Sequence, residues 1–225
     1  MKRKILIIVA HTDDETLGCG CAIQWHNEVG DTVYAMSFTD GVSSRDLKKR
    51  NLIIKRRKQS DQVSNFLNFK WVKRLNFPDN KLDSIPLLKF IKIIEKIKKK
   101  INPDIIYTHH PNDINIDHQK IYNSVIVAFR PEVENNLKEI RLVEIPSSTE
   151  YGIKKNLNFF VPNIFINSKK YYQKKIKAFN FYKNEIKKYP YSRSLNGLKN
   201  LMKSRGNQVS MEYAECFELF RKIIK

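Results

Sequence analysis

"KILIIVAHTDDETLG", residues 4 to 18, runs from an unbroken apolar, β-branched segment into a histidine and three consecutive acids. A run of this kind, with no polar alternation, reads as a strand buried on both faces. Comparable runs recur at "TVYAMSFT" (32–39), "WVKRLN" (71–76), "DIIYTH" (104–109) and "IRLVEI" (140–145), and helical periodicity fills 16–29, 46–68, 84–101 and 118–130 between them. Strand alternating with helix predicts an α/β fold: a Rossmann-like three-layer sandwich with a mostly parallel sheet, formed as a single domain over 1–225. Its ligand crevice belongs at the carboxyl ends of the strands. Further on, 157–166 reads as another strand or strand pair, and 168–189 and 211–224 read as helices.

This topology locates the acids. His11, Asp13, Asp14 and Glu15 close the first strand, and "THHPNDINIDH" (108–118) closes the fourth, so both clusters face one crevice. Acids crowded in this way repel one another unless a shared cation neutralises and orders them. Two histidines and an aspartate suit a catalytic zinc with one position left for water. His11 and Asp14 supply two ligands and His118 the third, with the adjacent Asp117 placed to orient or polarise the site.

Composition narrows the remaining classes. The chain has 225 residues, 41% hydrophobic and 29% charged, and a formal net charge of +19. This is the make-up of a soluble globular protein, expected in the cytoplasm. The opening "MKRKILIIVAHTDDE" lacks the length and small-residue cleavage site of a secretory signal, and no apolar segment is long enough to span a bilayer. The positive charge is spread along the chain without a nucleic-acid module, so no specific nucleic acid is expected and an anionic small substrate fits it at least as well. In "KFIKIIEKIKKK", Phe90, Ile91, Ile94 and Ile97 recur at helical spacing, which predicts a basic face over a core-facing stripe, weak membrane-surface association being the alternative. Cys19, Cys21 and Cys216 are odd in number and lack zinc-finger spacing, and read as free thiols.

The pairing of "HTDD" with "NDINIDH" about a hundred residues later resembles the LmbE-like, or PIG-L, superfamily of zinc-dependent de-N-acetylases, whose motifs are A-H-P-D-D-E and H-x-D-H. The likeness extends to "TDGVSSR", "FPDNKLD", "EIPSSTEY" and the tail "YPYSRS…KSRGNQVSMEYAECFELFR". It implies that His11, Asp14 and His118 bind zinc, with another divalent metal such as Fe2+ as the variant, and that Asp13 is the general base. A bound zinc lowers the pKa of its water to about 7, and an adjacent non-ligand carboxylate completes the deprotonation. Thr12 stands where the family has proline. Asn115 stands where H-x-D-H has its first histidine; an amide donates a hydrogen bond to an oxyanion but is no acid, so Asn115 is expected to supply geometry or oxyanion binding, with His109 and His110 as stand-ins and Asp117 as a supporting catalytic acid.

For substrate, Arg57 matches the family's arginine and Asp79 its sugar-binding acid. Arg45, Arg193, Arg205 and Asp113 are further candidates, each with a structural salt bridge or turn cap as the alternative. Ser147, Ser148 and Thr149 are placed to line the crevice. The resemblance thus implies a hydrolase that removes an N-acetyl (N-acyl) group from an amino sugar of the N-acetylglucosamine kind or its conjugate, in bacterial surface-glycan or sugar-nucleotide metabolism. The substrate is expected to be anionic, and a homo-oligomer is left open. The contrasting expectation is a non-catalytic sugar- or nucleotide-binding member of the same fold.

Overall fold

The structure, a computed structural model, describes residues 2–45, 50–133, 136–152 and 159–224, without the side chain of Arg45. Strand β1 (Lys4–Val9) lacks a polar face because helices cover both sides of it. Ile5, Ile7 and Val9 share a core with α1 (Asp14–Glu28), α2 (Arg50–Leu67), α5 (Tyr172–Phe179) and α6 (Leu195–Asn207). Leu6, Ile8 and Ala10 pack instead with α3 (Leu87–Ile101) and α4 (Ile116–Ala128).

The remaining strands are β2 (Thr32–Thr39), β3 (Lys70–Phe77), β4 (Ile105–Thr108), β5 (Glu139–Val143), β6 (Ile164–Asn167) and β7 (Ala214–Lys222). They form one sheet in the order β3-β2-β1-β4-β5-β7-β6. The first five are parallel, and β7 runs antiparallel to both β5 and β6. The chain winds outward from β1 to β3, then crosses back to β4. That reversal opens a crevice at the carboxyl ends of β1 and β4, where a ligand site is expected on physical grounds.

The last quarter of the chain differs from the sequence expectation. Residues 211–224 are not a helix, because 214–222 form β7, which fills the gap between β5 and β6 and pairs along both edges. Ladder bonding on two sides overrides the helix-favouring Glu, Leu and Lys of "AECFELFRK". Only Tyr172–Phe179 of the expected 168–189 helix is helical, and of the expected strand at 157–166 the described part contributes only the start of β6. In α3 the stripe Phe90, Ile91, Ile94, Ile97 and Ile101 is buried, as a basic face over a core-facing stripe requires. Among the described residues, no helix is long and apolar enough to cross a membrane.

At the opposite end of the strands from the crevice, α1 is tied down by a buried polar chain. His26 donates from Nδ1 to Asp31 (2.7 Å) and accepts at Nε2 from the Tyr107 hydroxyl (2.9 Å), while that oxygen accepts from Arg141 (2.7 Å). Asp31 also receives Arg3. This arrangement needs a neutral imidazole. Burial pulls His26 down from 6.5 to about 4, Arg141 and Arg3 add to the effect, and Asp31 opposes it. Since the unfolded chain takes up this proton first, the contribution is complete above about pH 6.5 and is lost as the pH falls towards 4, on the order of 2–3 kcal/mol. Urea unfolding of His26→Gln against wild type should show a variant less stable at pH 7 that loses less stability between pH 6.5 and 4.5.

Candidate metal centre and active site

The turn from β1 into α1 is built by its own acids. Asp13 has φ of 145°, a left-handed conformation that costs a non-glycine residue about 1–3 kcal/mol and persists only where the surroundings enforce it. Its carbonyl accepts from the amides of Thr16 and Leu17, opening α1, and its own N–H donates to Glu15 Oε2 at 2.8 Å. Glu15 Oε1 also receives the hydroxyls of Thr16 and Tyr182. Burial pushes Glu15 up to about 7. Glu15 therefore shapes the turn and does not face the crevice.

One turn later, α1 presses on the sheet so closely that a Cβ at Gly18 would lie 2.9 Å from Val143 Cβ. A buried ion pair then enters the helix from the side. Lys175 Nζ lies 2.7 Å from Glu215 Oε1 and donates to the Leu17 carbonyl, while Glu215 accepts from the amides of Cys21 and Ala22. Cys21 N and Leu17 O are partners in an undisturbed helix. The pair fixes the height of α1, and with it the position of Asp14 at its first residue.

His11, Asp14 and His118 converge. His11 Nδ1 lies 3.2 Å from Asp14 Oδ2 and 3.2 Å from His118 Nε2, and the last two atoms are 3.4 Å apart. Atoms about 2.0–2.1 Å from a common tetrahedral ion would be about 3.3–3.4 Å from one another. All three side chains are buried. The outward nitrogens complete the fit: His118 Nδ1 lies 3.0 Å from Asp113 Oδ2, and His11 Nε2 lies 2.9 Å from Asp79 Oδ1 and 3.4 Å from Asp117 Oδ2. A carboxylate behind each imidazole orients the ring and raises its basicity as a ligand. The second grouping of His11 with Asp79 and Asp117 is this support, since a ring whose Nε2–H is given to carboxylates has only Nδ1 to offer an ion.

Without a cation, the imidazoles take up the local negative charge. Burial lowers His118, yet Asp113 and Asp14 outweigh it and carry the residue up to about 9. His11 behaves alike, burial being outweighed by Asp14, Asp117 and Asp79. Asp14 is held well below the carboxylate range because the two histidines overcome its burial.

Asp13 stands apart from this set. Its Oδ2 is buried and lies 3.0 Å from Arg56 Nη2 and 3.7 Å from Arg193 Nη1. Burial raises its pKa, Asp14 and Glu185 add to the rise, and Arg56 and Arg193 oppose it. Arg56 is held in turn by Glu185 at 3.0 Å, by the Thr12 hydroxyl at 3.0 Å and by stacking over Tyr182. Thr12, in the proline position of the family motif, thus accepts from this arginine.

A cavity of about 180 Å³ exposes these groups, lined by His11, Asp13, Asp14, Asp79, Asn115, His118, Arg193 and, beyond the expected residues, Gly41, Ser44, Arg56, Asn80 and Glu185. Arg57 is not among them. Neighbours on a helix point about 100° apart, and Arg57 donates to the Arg74 carbonyl and Asn76 on β3. Asp113 lies behind His118, its oxygens taken by Ser148, Thr149 and that ring, so it does not face the cavity. Ser148 and Thr149 are occupied there too. Asp117 is fully buried and accepts from the amides of Asn80 and Leu82, fixing the loop that carries Asp79. Arg205 is paired with Glu144. Arg45 closes a 3₁₀ turn (Ser43–Arg45), and its side chain lies outside the described residues.

Asn115 caps α4, its Oδ1 accepting from the Asp117 amide at 2.8 Å, and its Nδ2 donates to Asn80 Oδ1 at 3.2 Å. The second amide hydrogen has no partner among the described residues. Neither expected stand-in reaches the cavity. His109 is stacked on His118 at 3.8 Å and accepts from the Ala10 amide, while His110 packs against Phe160 and Glu218. The three cysteines are buried, free and outside the cluster.

A mostly parallel α/β sheet with two histidines and an aspartate gathered at its switch point is the frame against which the chain's relatives are compared. Residues 6–129 match the family model described as GlcNAc-PI de-N-acetylase, and the chain belongs to this PIG-L family. An Escherichia coli (strain K12) relative described as the uncharacterized deacetylase YaiS is 30% identical over 177 residues, covering 76% of this chain and 85% of that protein. Among solved structures, the N,N'-diacetylchitobiose deacetylase of Pyrococcus horikoshii superposes with a TM-score of 0.78 at 21% identity, covering 97% of this chain and 84% of that one. Teicoplanin deacetylase Orf2, in a zinc-inhibited form, gives 0.75 at 16% identity over 95% and 96% of the two chains. The fold is also that of GalB, a 4-carboxy-2-hydroxymuconate hydratase of Pseudomonas putida KT2440, with 0.76 at 16% identity over 100% and 98%. At these identities the superpositions establish the fold and leave the reaction to the site.

The carboxylate behind His118 gives a direct test. Asp113→Ala should weaken metal binding by roughly 10- to 100-fold, whereas Arg57→Ala should leave it unchanged. Chelator competition measures both.

Proposed function

We propose that this chain is a metal-dependent amidohydrolase, with zinc as the ion, that removes an N-acetyl group from an amino sugar or sugar conjugate. The observation that carries the reading is Asp13: a buried carboxylate outside the His11, Asp14 and His118 set that lines the same cavity as those three. A cation held by those three would supply Lewis-acid polarisation of the amide and a more acidic water. Asp13, whose side chain lines the cavity, would take the proton of the attacking water, and its raised pKa suits a base that must also return it to the leaving amine. Arg56 and Arg193 hold the carboxylate in place. The uncommitted Asn115 N–H is placed on the cavity wall to donate to the oxyanion developing at the acyl carbon, an effect worth on the order of 3 kcal/mol. Asn115 cannot serve as the acid, so both proton transfers fall to Asp13. Asp79, its oxygens engaged by His11 and the Ser44 hydroxyl, acts by orienting the His11 ring beside the cavity.

Family membership, a relative described as a deacetylase and a cavity lined almost wholly by polar groups support an acetylated sugar as substrate. The basic surface favours an anionic one, which suits bacterial glycan or sugar-nucleotide metabolism in the cytoplasm, performed by one domain spanning the chain. Because one neighbour is a zinc-inhibited form, the choice of ion needs its own measurement: reconstitution with Zn2+ or Fe2+ should give higher turnover with zinc at one equivalent. The replacement of an acid-capable histidine by Asn115 favours one competing reading, a binding protein without turnover.

Release of free amine from N,N'-diacetylchitobiose and UDP-N-acetylglucosamine separates the two. Asp13→Asn should lower kcat by about 10²–10⁴ with metal content unchanged, and Arg56→Ala should lower it far more than Arg57→Ala. Unchanged turnover in Asp13→Asn would refute the mechanism, and tight sugar binding without amine release by the metal-loaded protein would favour the binding reading.

A further inference from the structure

The Arg56–Glu185 pair is shared by the crevice and a second hollow. Arg56 and Glu185 also line an adjoining cleft of about 100 Å³, whose wall includes Lys55 and Gln59. Those two residues in turn line a groove of about 670 Å³ between α2 and the end of α5 with the segment that follows it. Lys55, Gln59, Gln62 and Phe66 recur at intervals of four, three and four, so one face of α2 forms one wall. Lys177, Phe181 and Lys183 form the other.

Three features of this groove point to a ligand. Gln59 is only 8% exposed and lines both the cleft and the groove, so the little surface it keeps faces them. Lys55, Lys58, Lys177 and Lys183 line the groove with no acid among its lining residues, and none of them is ion-paired among the described residues. The lysine-rich composition does not by itself produce this. A groove of about 570 Å³ at the end of α3 is also rich in cations, yet there Lys92 pairs with Glu95, and Lys98 and Arg130 with Glu132. Finally, Phe66 and Phe181 meet edge to face at 5.5 Å, offering an apolar floor between the lysines.

We propose that this groove is a second subsite, which holds the anionic extension of a substrate whose acetamido sugar occupies the crevice. The ammonium groups meet carboxylates or phosphates, Gln59 and Gln62 meet hydroxyls, and the phenyl rings meet the apolar face of a sugar or base. The link to the crevice rests on the deacetylase reading above; the groove's preference for anions does not require turnover.

Calorimetry on the metal-loaded protein tests it with three probes: a tetrasaccharide alternating N-acetylglucosamine with glucuronate, UDP-N-acetylglucosamine, and neutral chitotetraose. At least one anionic probe should bind ten or more times more tightly than chitotetraose, with the advantage shrinking as salt is raised. Lys58→Glu/Lys177→Glu should cut that ratio at least tenfold, while Lys58→Arg/Lys177→Arg keeps it; thermal unfolding checks that both variants fold. Loss for the acidic tetrasaccharide identifies the extension as glycan carboxylates, and loss for the nucleotide identifies phosphates. Equal binding of all three probes, or a ratio untouched by charge reversal, would overturn the subsite. An intact anion preference without any amine release would instead sink the deacetylase reading and leave the groove standing.

Discussion

The convergence of His11 Nδ1, Asp14 Oδ2 and His118 Nε2 within 3.4 Å of one another governs the rest of the structure. Buried carboxylates and imidazoles this close have no favourable arrangement among themselves unless positive charge is supplied, either by protons or by a cation. The raised histidines represent the first solution and a bound metal the second. Since a ligand imidazole must be neutral, an ion entering this site displaces protons from it.

Several layers of structure serve that geometry. Parallel pairing of β1 with β4 brings two loops about a hundred residues apart to the same end of the sheet. Asp79 and Asp113 turn the two imidazoles so that one nitrogen of each faces the ion. Gly18 lets α1 approach β5, and the Lys175–Glu215 pair grips its backbone, which places Asp14. Strain at Asp13 follows from the same constraint, because the chain must leave β1 and begin α1 while presenting adjacent carboxylates to different partners, Asp14 to the histidines and Asp13 to Arg56.

What could be read in the sequence was what local pattern determines. The apolar run of β1, the alternation of strand and helix, and the positions of His11, Asp14 and His118 at strand ends all follow from periodicity and topology. What escaped depends on pairing across the fold. Residues 214–222 look helical in isolation and become a strand only because β5 and β6 each present an edge. The sequence offers Arg57 as a substrate arginine and gives no sign of Arg56; one residue's rotation along α2 decides which guanidinium meets Asp13, and the burial of Arg56 between Thr12, Glu185 and Tyr182 leaves no local signal. Asp113 reads as a substrate contact or a turn cap until His118 is seen in front of it. Asn115, by contrast, sits two residues before Asp117 with the spacing of a helix cap, a signal that was present in "NDINIDH".

The most direct test of the central claim is X-ray absorption fine structure of the zinc-loaded protein. The geometry predicts about four nitrogen and oxygen scatterers near 2.0–2.1 Å, with the outer-shell pattern of two imidazoles and no sulfur. A sulfur shell near 2.3 Å, or a signal lacking two imidazoles, would place the ion elsewhere and contradict the account.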